Sequence, residues 1–148
     1  MMDGISILAT AVLVARLIVG SLFILAGWLK MRAGTGWFYL QILEFRIIER
    51  GFARTLSRVL PPLEIGLGVL LVLGLLTRWV SITSFVLLFS FTAVVLHASW
   101  LGRSTACGCF GRRDNRTIKA QWRVIYRNVM LMGLLLVIYI SQAKVLLH

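Results

Sequence analysis

Acidic residues are scarce in this 148-residue chain: five Asp and Glu stand against 16 Lys and Arg, for a formal net charge of +11. Such an imbalance could suit nucleic acid, but the basic residues fall between long apolar runs and form no free-standing basic stripe or stacking motif, so no nucleic-acid partner is expected. Charge of either sign is sparse, 14% of residues against 59% hydrophobic, and a mean hydropathy of +0.91 excludes a soluble domain of this size. Two cysteines are too few for a disulfide scaffold. A closed zinc site needs four ligands, and the chain offers only His97 and His148 beside the cysteines, so no metal is expected. The two prolines adjoin as Pro61-Pro62, a pattern that stops one helix and suits the first turn of the next. Ahead of the first apolar run stands Asp3 with no basic residue; the layout of a signal peptide is missing, and the first span is expected to stay in the mature protein. No internal repeat or low-complexity tract is evident.

Four apolar stretches make up most of what is present, at about 5–29, 60–77, 79–100 and 124–147. At 1.5 Å per residue a helix of about 20 residues crosses a hydrocarbon core of about 30 Å. The pattern therefore predicts an all-α membrane protein, a four-transmembrane-helix bundle in one domain over 1–148. Between the first and second spans, Trp37 to Arg50 mixes apolar and charged residues at helical spacing, with too many charges to span; it predicts an amphipathic helix lying in the interface. Trp28 is expected as an interface anchor and Lys30 as a charge snorkelling outward from the end of the first span. Arg16 falls near mid-membrane, where a charge needs a partner, water or backbone carbonyls.

The connections after spans one and three carry Lys30, Arg32, Arg46, Arg50, Arg54, Arg58, Arg103, Arg112, Arg113, Arg116, Lys119, Arg123 and Arg127, 13 of the 16 basic residues. The opposite face has only Arg78 and Lys144. The positive-inside rule then places both large loops in the cytoplasm and both termini outside. In such a bundle Lys30 ends the first span, Glu64 lies just inside the second, His97 ends the third, and Arg127 and Asn128 open the fourth, so all approach one membrane level. Polar groups are costly in lipid and should turn toward one another there, with Glu64 pairing with Lys30. The result is either a pocket near that face or a polar network that only sets helix register.

Both cysteines lie in the loop that caps this level, within Cys107-Gly108-Cys109-Phe110-Gly111. Two thiols one glycine apart can close a small, strained and readily reduced disulfide. Arg103, Arg112 and Arg113 nearby favour the reactive thiolate. The alternative is a pair of inert reduced thiols in a turn made by the glycines.

Several of these elements together resemble the MauE branch of the DoxX-like membrane proteins. They are Arg16 followed by Gly20, Phe23, Ala26-Gly27 and Lys30; Leu60-Pro61-Pro62-Leu63-Glu64 opening the second span; Gly74 and Arg78 closing it; the C-G-C-F-G element; and Arg127-Asn128 opening the last span. The resemblance covers nearly the whole chain. It implies a four-helix protein of the bacterial cytoplasmic membrane that helps mature the disulfide-rich small subunit of methylamine dehydrogenase with a thioredoxin-like partner. It also implies that Cys107 and Cys109 are the exchanging pair, with Arg16, Lys30, Glu64 and Asn128 as a supporting network. Dehydrogenase maturation is periplasmic, whereas the charge count puts the cysteines in the cytoplasm. Either the loop exchanges electrons with a cytoplasmic reductant, or the role is not direct disulfide formation, or the orientation is reversed; the charge bias favours the cytoplasmic side.

Three functions compete at this stage. The first is thiol-disulfide exchange, an oxidoreductase activity at Cys107 and Cys109 acting on a thioredoxin-like protein or client enzyme. A second is a non-catalytic subunit or assembly factor of a larger membrane complex, docking through the segment around Trp37 to Arg50. The third is a quinone-linked component like some DoxX relatives, with a quinone bound beside His97 and Glu64; no other cofactor is expected.

Overall fold

In the computed structural model the described residues, 2–46, 48–101 and 118–146, form five helices and no strand. They are α1 (Met2–Ala33), α2 (Thr35–Glu44), α3 (Arg50–Leu73), α4 (Thr77–Trp100) and α5 (Ile118–Leu146). Each of α1, α3, α4 and α5 contains a stretch long and apolar enough to span a membrane: Ala9–Ala33, Arg50–Leu73, Thr77–Trp100 and Trp122–Gln142. Their outward residues are apolar as well, including Leu13, Leu17, Trp79, Val86, Phe89, Met130 and Leu136. A helix apolar on every side belongs in lipid, and the chain is a multi-pass membrane protein.

Helices α1 and α3 form the most extensive pair and α4 and α5 the next, with thinner contacts joining the pairs. Between them lies a core of Val19 and Phe23 from α1, Leu67 and Leu71 from α3, Val80 from α4, and Leu131 and Leu135 from α5. Without a hydrophobic drive between helices in lipid, association depends on close backbone approach at small residues. Gly20 and Gly68 supply it reciprocally. A Cβ on Gly20 would lie 2.8 Å from the Gly68 carbonyl oxygen, and one on Gly68 would lie 2.6 Å from the Gly20 carbonyl oxygen. About two turns further along α1, Gly27 meets the Pro61 carbonyl oxygen in the same way, at 2.6 Å. These rungs fix one antiparallel register.

Arg16 belongs to that register and not to the polar cluster. Its guanidinium donates to the carbonyls of Leu71 (3.0 Å) and Val72 (3.4 Å) in the last turn of α3, where Leu71 also accepts from the Gly74 N–H (3.2 Å). Gly74 closes α3 in the left-handed region at φ 75°, and the space a Cβ would need there is filled by the Arg16 guanidinium. Lys30 is about 21 Å away along α1 at 1.5 Å per residue.

Two expectations need correction. Pro61-Pro62 does not start a helix: α3 runs through both from Arg50. Each proline removes an N–H that would bond four residues back, yet the buried positions Ala53, Ser57, Leu60, Glu64, Leu67 and Leu71 step by three or four straight through them. Burial of that stripe outweighs the two missing bonds, and Glu64 consequently sits about four turns inside α3 rather than at its start. The amphipathic segment is also shorter than expected. Helix α2 ends at Glu44, the chain turns through Arg46 at φ 53°, and Glu49 precedes α3 with its carbonyl accepting from the Ala53 N–H (2.9 Å).

The glycine contacts set a direct test. Gly68→Ala should lower stability in detergent by about 1–3 kcal/mol through overpacking. Gly66→Ala, where a Cβ meets nothing within 4 Å, should be neutral or stabilising by up to about 1 kcal/mol. Thermal unfolding of the two variants beside the parent distinguishes them.

Candidate functional site

Lys30 is among the most buried side chains of the molecule, at 2% exposure. It turns into the bundle rather than out to the interface, which corrects the outward-snorkelling expectation. Helix geometry explains the direction. Cα–Cβ bonds tilt toward a helix N-terminus, so on antiparallel α1 and α3 the side chains of Lys30 and Glu64 lean toward each other and meet near the Gly27–Pro61 rung. Lys30 Nζ donates a charge-assisted hydrogen bond to Glu64 Oε1. The rings of Phe38 from α2 and Phe91 from α4 stand 5.3 and 5.0 Å from the same ammonium. The cation is thus held by one carboxylate and two aromatic faces; cation–π contacts of this kind contribute about 0.5–2 kcal/mol each.

The pair lines a cavity of about 40 Å³ shared with Arg127 and Asn128 of α5. Asn128 is buried at 1% exposure; its Nδ2 donates to Thr92 Oγ1 (3.2 Å), and its Oδ1 accepts from the Arg127 guanidinium (3.3 Å). Thr92 in turn donates to the Leu88 carbonyl (2.7 Å). Glu64 Oε2 makes no hydrogen bond within the described residues. A cavity holds a water from about 10–15 Å³ upward when polar partners line it, so this space suits small hydrogen-bonding species.

The structure therefore brings together Lys30, Glu64, Arg127 and Asn128. It does not bring Arg16, which caps α3, nor His97. Val95 and Ala98 are buried on one face of α4, and His97 lies on the opposite, exposed face, outside the cavity. A quinone bound between His97 and Glu64 has no shared site in this arrangement. Cys107, Cys109, Arg103, Arg112 and Arg113 lie outside the described residues. Among the described residues no group of three or more His, Cys, Asp or Glu side chains could hold a metal ion.

Phe38, Phe91 and Thr92 were not anticipated as site residues. For Thr92 a signal was available: Thr77, Ser81, Ser84 and Thr92 recur at near-helical spacing along α4, and all four are buried. Nothing local marks the two phenylalanines among eight.

Removing the Asn128 amide deletes the hydrogen bonds to Thr92 and from Arg127. Asn128→Leu is expected to cost about 1–3 kcal/mol, while Asn128→Gln should recover part of the loss; chemical or thermal unfolding in detergent measures both. Phe38→Leu and Phe91→Leu should each cost more than Phe89→Leu on the exposed face.

No curated protein and no solved structure gives a match to this chain. The family model described as methylamine utilisation protein MauE matches residues 8–141, across all four spans, the polar cavity and the cysteine loop. The chain belongs to the MauE family.

Proposed function

We propose that this membrane accessory protein exchanges thiols and disulfides through Cys107 and Cys109 with a thioredoxin-like partner, in the maturation of a client enzyme of the methylamine dehydrogenase type. The observation that carries the reading is the hydrogen bond from Asn128 of α5 to Thr92 of α4. The two cysteines belong to the connection between these helices, so this bond ties together the stems of the loop, beside the cavity that Lys30 and Glu64 of α1 and α3 also line. A reactive pair on a short loop needs such a rigid base if a partner is to meet it in one geometry.

In the exchange, one thiolate attacks a sulfur of the opposing disulfide. A mixed disulfide forms as the displaced sulfur leaves as thiolate, and the second cysteine then resolves it. Two electrons and two protons pass from the dithiol to the disulfide, so the step itself needs no further oxidant. Arg103, Arg112 and Arg113 favour the thiolate form. The basic bias of the loops favours the cytoplasmic face of a bacterial inner membrane for this chemistry. The loop would then exchange electrons with a cytoplasmic thioredoxin-like reductant rather than with a periplasmic client directly, and the same reading sets the family among the DoxX-like proteins. Residues 1–148 would act as one domain.

Cys109→Ser should trap a mixed disulfide at Cys107 that reductant releases and that non-reducing electrophoresis displays. Client maturation should fall at least tenfold when both cysteines become serine. Full maturation by that double variant would contradict the proposal and favour an assembly factor without thiol chemistry. Glu64→Gln separates the supporting roles: equal loss of folding and of cysteine reactivity marks the cavity as structural, whereas loss of reactivity in a folded protein marks it as part of the exchange.

A further inference from the structure

Next to the polar cavity, sharing Phe91 and Leu87 with it, a groove of about 300 Å³ runs between α2, α3 and α4. On the α3 side Phe52, Leu56 and Leu60 follow one another at four-residue steps, which keeps them on one helix face. The groove exists because α3 packs mainly on α1, and α4 mainly on α5, leaving a seam that α2 fills only in part. Phe52 to Leu60 rises about 12 Å, along helices that cross the membrane. The lining of the groove is apolar apart from Gln41 and Ser90, which suits the hydrocarbon chain of a lipid.

Leu60 and Leu87 line the groove toward the polar cavity, and Phe45, Ile48 and Phe52 line its mouth, where the chain turns from α2 into α3. Arg46 and Arg50 are exposed at this mouth, each within two residues of a groove-lining side chain. Arg54 adds a third positive charge on the α2 side, 5.9 Å from the Tyr39 ring. Glu44 and Glu49 are the acids of the same turn, so the mouth is net positive.

We propose that the groove holds one acyl chain of an anionic phospholipid, with its phosphate at Arg46 and Arg50. An apolar trough left empty forfeits the dispersion contacts of its lining, and hydrocarbon is what a bilayer offers to fill it. The basic mouth then selects the sign of the headgroup, since basic residues at the membrane surface attract anionic lipid. A second copy of the chain docking symmetrically would bring its own arginines against these. Because Phe38 and Phe91 line the groove and also stand over Lys30, the bound chain braces α2 against the ion pair.

Native mass spectrometry of the full-length protein, with equal amounts of phosphatidylglycerol and phosphatidylcholine of the same acyl chains, tests the assignment. One phosphatidylglycerol should be retained in preference by roughly fivefold, the effect of one net positive charge near a membrane surface. The double variant Arg46→Gln, Arg50→Gln should bring the ratio close to one, whereas Arg78→Gln, at the opposite end of the bundle, should leave it unchanged. Leu56→Trp, which narrows the groove, should lower retention of both lipids, with circular dichroism confirming that each variant remains helical. Equal retention of the two lipids by the parent, a preference that survives the double Arg→Gln change, unaltered retention by Leu56→Trp, or a lipid-free dimer would each overturn it.

Discussion

A lysine and a glutamate that neutralise each other inside the bundle constrain everything around them. Either charge alone in a low-dielectric interior would cost several kcal/mol, and their attraction repays that only with good geometry and further polar contacts. Here the geometry follows from the backbone. The glycine rungs at Gly20–Gly68 and Gly27–Pro61 bring α1 and α3 so close that Lys30 and Glu64, leaning toward their own helix N-termini, converge on one point. A slip of the register by one turn would leave both charges buried without each other. The ion pair therefore selects a register that glycine packing makes possible.

The same point organises the other helices. Phe38 anchors α2 and Phe91 anchors α4 by presenting ring faces to the Lys30 ammonium. Arg127 and Asn128 bring α5 to the shared cavity, and Asn128 reaches α4 at Thr92. All five helices thus have a side chain within this cluster or directly against it. The far end of the bundle is held differently: Arg16 satisfies carbonyls at the end of α3, where Gly74 leaves room for its guanidinium. One chain with few charges uses two cations of α1, about four turns apart, for two distinct tasks.

Much of this was legible in the sequence, for identifiable reasons. Hydropathy runs marked the four spans because lipid imposes length and apolarity on any helix that crosses it. The Lys30–Glu64 pairing could be read because a carboxylate inside a span is rare enough to demand a partner, and Lys30 stood at the matching level on the preceding antiparallel span. Pro61-Pro62 misled because the local rule for proline ignores the buried stripe that carries α3 through it. His97 misled because its place near the end of α4 gives its level but not its face. The aromatic faces over Lys30 arise only when α2 folds back on α3 and α4, and no local pattern encodes that. The chemistry assigned to Cys107 and Cys109 rests on their spacing, their flanking arginines and family membership.

A double-mutant cycle on Lys30→Met and Glu64→Gln, followed by reversible unfolding in detergent, tests the central claim most directly. Each single change should cost about 3–5 kcal/mol because it strands a buried charge or its partner, and the double change should cost less than the sum by well over 1 kcal/mol. Additivity within about 0.5 kcal/mol, as found for independent sites, would mean that the two residues do not hold each other and that the bundle is organised by something else.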